Sequence, residues 1–202
     1  MKRIECIVIG SGGVGSAALF HLAKRGVKTL GIDRFPPGHD RGSSHGATRI
    51  IRLAYMEHPD YVPLLRRSYE LWEELGRRVG RNLYHETGLF YAGPADGETI
   101  PALIDCATRH GLPLQTLSND EQRRRFPGFL VPASMAMVFE QTAGYVEAEN
   151  SVRAHAEEAR SHGAEIRIGE TVRSWEADGS GVMVTTDQGS YSAERLVITP
   201  GA

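Results

Sequence analysis

Cysteine is nearly absent. Only Cys6 and Cys106 occur in 202 residues, far apart and without C-x-x-C spacing. That excludes a disulfide framework and a thiolate zinc site, and makes a reducing cytoplasm the expected setting. No two histidines have H-x-x-x-H spacing, His39, His45 and His58 included, so no metal is expected. A Ser-His-Asp hydrolase is not expected either. Neither sign of charge dominates: 23 Lys and Arg face 25 Asp and Glu, a formal net charge of -2. General attraction to nucleic acid or to an acidic membrane is thereby excluded. No apolar run is long enough to span a bilayer, and the run after the basic tip Met1-Lys2-Arg3 is too short for a signal sequence. Repeats and low-complexity tracts are missing as well.

What is present begins with Ile4 to Ile9, a short apolar run of the kind buried on both faces of a parallel sheet. Gly10-Ser11-Gly12-Gly13-Val14-Gly15 follows at once and fits G-x-G-x-x-G. Ala17, Ala18, Leu19, Leu22 and Ala23 then supply a helix face that stops at Gly26, and 27–32 reads as a second strand ending at Asp33. In that context the motif is a dinucleotide fingerprint. Gly10 allows the tight turn, Gly12 lets the backbone approach a pyrophosphate, and Gly15 permits close helix packing. Free N–H groups at the helix start meet the phosphates. Asp33 is placed to accept from ribose hydroxyls, which favours FAD or NAD over NADP.

Downstream, 36–47 is rich in Gly, Pro and Ser and reads as a long loop. Leu65, Tyr69 and Trp72, with Leu64, Leu71 and Leu75 on an adjoining line, predict a core-facing helix from Tyr61 to Leu75. Strand-like pieces at 88–92 and 136–139 bracket helices near 99–110 and 118–125. The second of these starts at a Ser118/Glu121 capping box, ends before Pro127, and carries Arg123-Arg124-Arg125 on a solvated face. A helix at 146–162 and a strand at 165–168 restore the α/β pattern. Runs at 171–177, 182–186 and 190–193, separated by turns at 178–181 and 187–189, predict an antiparallel meander, with a further buried strand at 196–199. The fold class expected is α/β: a Rossmann-like domain with a parallel central sheet and a β-meander, formed by 1–84 and 147–202, plus an inserted α+β substrate-side segment at 85–146.

The stretch Gly42-Ser43-Ser44-His45-Gly46-Ala47-Thr48-Arg49-Ile50-Ile51-Arg52-Leu53-Ala54-Tyr55, with Tyr61-Val62-Pro63-Leu64 and Glu70-Leu71-Trp72 after it, resembles the sarcosine oxidase and N-methyltryptophan oxidase group of D-amino-acid-oxidase-like flavoproteins. The resemblance runs from Ile7 to the last residue and selects FAD as cofactor. It implies flavin-side roles for Ser43, His45, Thr48 and Arg49, a substrate-carboxylate role for Arg52, and an adenine-side backbone contact at Val172. The catalytic set it implies is His45, Arg49 and Arg52. Gly10, Gly12, Gly13, Val14, Gly15, Asp33, Arg34, Ser43, His45, Thr48, Arg49, Val172 and Gly201 would bind the cofactor. A guanidinium suits a carboxylate because it forks two parallel bonds to it.

The sequence departs from the family at Ser44, where a second histidine is common, and at Ala47, where an aspartate is common. Family members also continue beyond Ala202, supplying the cysteine that attaches flavin and the lysine that activates oxygen. Since Cys6 lies in the first strand and Cys106 on a helix of the inserted layer, the FAD expected here is non-covalent. The function implied is oxidation of a secondary amino acid such as sarcosine, with oxygen reduced to hydrogen peroxide. Two alternatives stand beside it. One is a nucleotide-binding fragment that associates with a separate C-terminal half or with itself. The other is a flavin dehydrogenase using an acceptor other than oxygen.

Overall fold

In the computed structural model, residues 4–177 and 179–201 are described. The basic tip and Asp178 of the predicted 178–181 turn lie outside them. Along the chain run β1 (Ile4–Ile9), α1 (Gly13–Lys24), β2 (Thr29–Asp33), β3 (Thr48–Ile51), a 3-10 turn (Pro59–Tyr61), α2 (Val62–Val79), β4 (Tyr84–Glu86), β5 (Leu89–Pro94), α3 (Thr99–His110) and β6 (Leu114–Thr116). Then follow α4 (Asn119–Arg125), β7 (Met135–Glu140), β8 (Gly144–Glu147), α5 (Ala148–Ser161), β9 (Glu165–Ile168), β10 (Val172–Ala177), β11 (Val182–Thr186) and β12 (Ser190–Ile198). No helix among the described residues is long and apolar enough to cross a membrane.

The chain forms two compact units. One takes the described residues through Thr48 and from Glu147 onward, and the other takes Arg49–Val146. Residues 49–84, grouped by the sequence with the nucleotide-binding domain, fall in the second unit by compactness.

The first unit is built on a six-stranded sheet of order β10-β11-β12-β1-β2-β9. β1 lies parallel to β2 on one side and to β12 on the other. Both its edges are thereby paired, and both its faces are covered, since Ile7 and Val8, which point to opposite sides, are fully buried; Ile7, Leu30, Ile32 and Val184 share one cluster. Each such side chain contributes about 1.5–3 kcal/mol on burial. The meander is present, but 190–193 and 196–199 do not make two strands. β12 is one nine-residue strand that runs antiparallel to β11 through Ala193 and parallel to β1 from Ala193 to Ile198. Glu194 and Arg195 hid this continuity, because exposed charges in mid-strand look like a break in an apolar pattern. Likewise α1 starts at Gly13, ahead of its apolar face, because Gly12 takes the extended conformation of an N-cap.

Helix α1 packs against α5, and His155 of α5 is buried beside Phe20 and His21 of α1, with ring centroids 5.9 and 6.4 Å away. Burial first, then the neighbouring His21, pushes the His155 imidazole down to about 4. The unfolded chain therefore binds a proton between about pH 6.5 and 4 that the folded chain refuses, and stability falls as pH drops through that window. The loss amounts to roughly 3 kcal/mol at most. Urea midpoints at pH 7 and pH 4.5 check this: His155→Leu is expected to lose less stability over that interval than the native chain, and equal losses would contradict it.

The second unit holds two three-stranded sheets, β3-β8-β4 and β5-β7-β6, and helices α2 to α4. Ile100 and Leu103 of α3 pack on Val138 of β7 beside Ala54. The Ser118/Glu121 capping box forms at the head of α4, and the three arginines after it are exposed. Along α2, Val62 and Leu75 are buried, but Leu64 is 68% exposed, contrary to its expected core-facing place.

Candidate functional site

Where β1 gives way to α1, the backbone closes into a cradle. Gly10 turns with φ +86°, and a β-carbon built there would stand 2.5 Å from Thr199 O. At Gly15 a β-carbon would overlap the carbonyl oxygen of Gly10 and lie 2.6 Å from Thr199 Oγ1. These two glycines answer to the protein's own packing. Gly12 does not. Its β-carbon would meet only Ser44 Oγ, at an ordinary 3.7 Å. The space beside this N-cap glycine is left open toward the cleft.

The cradle opens into a cleft of about 510 Å³, within the roughly 300–1,000 Å³ typical of small-molecule and cofactor sites. Among its walls are Gly10, Gly12, Gly13, Val14, Asp33, Arg34, Ser43, Val172 and Gly201, so nine of the sequence-predicted cofactor residues share one cavity. Gly15 does not line it; buried under Gly10, its role is packing. His45 and Thr48 are not among the lining residues either. Arg49 and Arg52 belong to the second unit.

Asp33 closes the end of β2 against the glycine loop. Its Oδ2 accepts from Ser11 N (2.6 Å) and Ser11 Oγ (3.0 Å), and Oδ1 accepts from Phe35 N (2.9 Å). A carboxylate offers about four acceptor positions, so one stays available for a ribose hydroxyl. Sequence reasoning gave Asp33 a ligand and missed that it also ties down the turn. The signal was Ser11, a buried hydroxyl inside the glycine motif. Missed too were Glu170 and Thr199. Glu170 N donates to Asp33 O at 3.2 Å, while Thr199 Oγ1 donates to Ile9 O and Gly10 O, holding the end of β12 over the loop.

The 36–47 segment is irregular but pinned. Gly46 N donates to Glu149 Oε1 (2.9 Å), Ala148 N to Ala47 O (3.1 Å), and Arg153 Nη2 to Gly38 O (2.9 Å). Glu149 and Arg153 also pair at 3.0 Å along α5. The Gly46 N–H, then Arg153, holds the Glu149 carboxyl below its usual range. His45 Nδ1 meets Gly42 O at 2.6 Å; a carbonyl only accepts, so this nitrogen carries the proton and Nε2 is the acceptor of the neutral ring. Glu149→Gln, which loses the charge under Gly46, is expected to weaken FAD binding severalfold without unfolding the chain. A fluorescence titration with FAD measures it, and an unchanged dissociation constant would show that the loop holds itself.

Ser44 Oγ accepts from Gly13 N at 3.0 Å. Gly42-Ser43-Ser44-His45-Gly46 does spell the G-x-S-x-G of a nucleophile elbow, a match that the expectation against a serine hydrolase leaves out of account. An elbow needs a strand running into a helix around the serine. Here the five residues lie in the irregular segment between β2 and β3, so the motif is one of letters only. No cluster of three His, Cys, Asp or Glu among the described residues is arranged to hold a metal ion.

In the second unit, Arg52 follows β3 directly. Its Nη2 donates to both oxygens of Glu57 (3.0 and 3.2 Å), and its guanidinium carbon lies 4.9 Å from the centre of the Tyr55 ring. The side chain is 19% exposed, so the arginine faces a half-shielded space in which it already holds a carboxylate.

A parallel sheet, a glycine turn feeding a helix start, a strand-end carboxylate and a cleft against the turn define a dinucleotide-binding protein of the ADP-cradling class. Residues 5–202 match the family described as FAD dependent oxidoreductase (DAO), and the chain belongs to that family. It is 45% identical over 198 residues to the monomeric sarcosine oxidase of Streptomyces avermitilis, covering 98% of this chain and 52% of that enzyme. To the N-methyl-L-tryptophan oxidase of Yersinia pestis it is 37% identical over 197 residues, covering 98% and 53%. The solved structure of NikD, an unusual amino acid oxidase essential for nikkomycin biosynthesis, superposes on all of this chain and 52% of its own, with a TM-score of 0.89 and 29% identity. The chain thus spans about half the length of the relatives it matches. The cofactor of the family is FAD, and the cradle fits it: Gly12 leaves room for a pyrophosphate, and the start of α1, where Ser44 Oγ takes the Gly13 N–H, offers further N–H groups.

Proposed function

We propose that this chain binds the ADP part of FAD in an oxidase of secondary amino acids such as sarcosine, in which oxygen takes the electrons and leaves as hydrogen peroxide. The observation that carries the cofactor half is Gly12, beside which the packing leaves the cleft open. For the substrate half it is Arg52, a half-shielded guanidinium whose Nη2 reaches both oxygens of a carboxylate.

In this reading Gly12 and Val14 present backbone N–H groups to the pyrophosphate, Gly13, whose N–H goes to Ser44 Oγ, lines the cradle beside them, Asp33 takes a ribose hydroxyl, and Arg34 and Val172 lie along the adenosine. Ser43, His45, Thr48 and Arg49 serve the flavin end. His45 offers an acceptor at Nε2, and Arg49 supplies fixed positive charge for negative charge that develops during transfer. Arg52 exchanges Glu57 for the substrate carboxylate and so fixes the orientation of the amine, which makes the transfer a matter of positioning. The chemistry supplied by bound FAD is acceptance of a hydride from the C–H beside nitrogen. Water then hydrolyses the resulting imine.

The test is visible absorbance after FAD addition and desalting, followed by anaerobic sarcosine and then air, on this chain and on the enzyme that carries it. Retained yellow colour that bleaches with sarcosine and returns with peroxide is the expected result. No retained FAD rejects the cofactor reading, an unbleached flavin in the whole enzyme rejects the substrate, and bleaching without peroxide makes it a dehydrogenase.

A further inference from the structure

Glu140 closes strand β7 with its carboxylate almost wholly enclosed, at 1% exposure. An ion in such a place needs several donors, and three reach it. Leu53 N donates to Oε1 at 2.5 Å, and Ala54 N and Tyr91 Oη donate to Oε2 at 3.2 and 3.3 Å. The two backbone donors are the residues immediately after Arg52, in a segment that has left β3 and belongs to no helix. Tyr91 lies near the Arg52 charge as well, which opposes the rise of its phenol. Burial, then the adjacent Glu140 charge, pushes the Tyr91 phenol up, so the phenol keeps the proton it gives to Glu140.

We propose that Glu140 is the positioning residue for Arg52: it anchors the backbone behind the arginine at two successive amides, with Tyr91 holding the Glu140 carboxylate in turn. This rests on the reading of Arg52 as the substrate-carboxylate site. The backbone grip fixes where the side chain leaves the chain, while the Tyr55 ring and Glu57 lie at its guanidinium end. The Glu57 contact stays exchangeable, because Glu57 is 48% exposed on its side chain.

The test is Glu140→Gln in the flavin-loaded enzyme, with sarcosine as substrate and acetate as an inert carboxylate probe. A glutamine keeps the shape but turns an NH2 group toward one of the two backbone donors. KM for sarcosine and Kd for acetate are expected to rise together by about tenfold, the equivalent of one charge-assisted hydrogen bond, with kcat and FAD affinity changed far less. In an Arg52→Ala background the same substitution should add nothing, because two residues acting through one group do not add. An equal rise in that background, or a lower melting temperature with KM unmoved, would overturn the proposal and leave Glu140 a purely structural acid. Should Arg52→Ala itself leave acetate binding unchanged, the reading of Arg52 fails first and takes the proposal with it. If Glu140→Gln does not fold, Tyr91→Phe decides: a smaller rise in KM that vanishes without Arg52 supports the proposal, and wild-type kinetics reject it.

Discussion

Gly12→Ala is expected to leave the chain folded and to remove its hold on FAD. The backbone at Gly12 has φ -69°, a value alanine adopts freely, and the added methyl would touch only Ser44 Oγ at 3.7 Å. Stability should therefore move by no more than about 1 kcal/mol. The methyl would nevertheless stand in the cleft beside the first N–H groups of α1, where a pyrophosphate must come into hydrogen-bond range. Losing one or two charge-assisted bonds there corresponds to an affinity loss of about a hundredfold or more. Gly15→Ala is the contrast. Its methyl would collide with Gly10 O and Thr199 Oγ1, so the sheet and helix must separate, and a cost of about 3 kcal/mol or more falls on folding itself. FAD titration and thermal melting on the two variants separate the effects. If Gly12→Ala retained FAD as tightly as the native chain, the cleft would not be a dinucleotide site.

The second large effect is at Arg52. In the flavin-loaded enzyme, Arg52→Ala should raise KM for sarcosine by about a hundredfold or more, the cost of leaving a shielded carboxylate without its partner. Arg52→Lys should recover little, because an ammonium cannot supply the two-pronged bond. A competing carboxylate is already in place, since both oxygens of Glu57 accept from Arg52 Nη2, at 3.0 and 3.2 Å. Glu57→Gln should therefore act in the opposite direction and lower KM. Steady-state kinetics with sarcosine, against an amine of similar size lacking the carboxylate, isolates the charge term. A KM for sarcosine unmoved by Arg52→Ala would remove Arg52 from the site.

The nucleotide half of this picture was legible in the sequence because its requirements are local. A buried strand, a glycine turn and a strand-ending acid lie within Ile4 to Asp33, and each residue type follows from backbone geometry. What stayed hidden depends on contacts across long separations. Thr199 reaching back to Gly10, Glu170 meeting Asp33, and Glu149 gripping Gly46 leave no periodic trace, since one hydrogen bond needs only one polar residue anywhere in the chain. Arg52 could be singled out only through resemblance. Taken alone, Arg49 and Arg52 read as surface arginines at helical spacing, and a strand ends between them. Leu64 misled for the opposite reason: it matches a helical stripe, but the buried face of α2 passes through Val62 and Leu75.

Strand β12, continuous from the meander to the parallel core, sets the order in which the molecule can be completed. β1 gains its first neighbour from residues 29–33 but its second only from residues 193–198. On a ribosome adding about 5–20 residues per second, that delay is about 8 to 33 seconds. Throughout it Ile7, Val8 and Ile9 present an open apolar edge. Thr199, which buttresses the glycine turn, arrives later still. The first motif of the sequence to be made thus becomes a binding site only after residue 199 has followed it, and a nascent chain has reason to be shielded by a chaperone before it has any use for flavin.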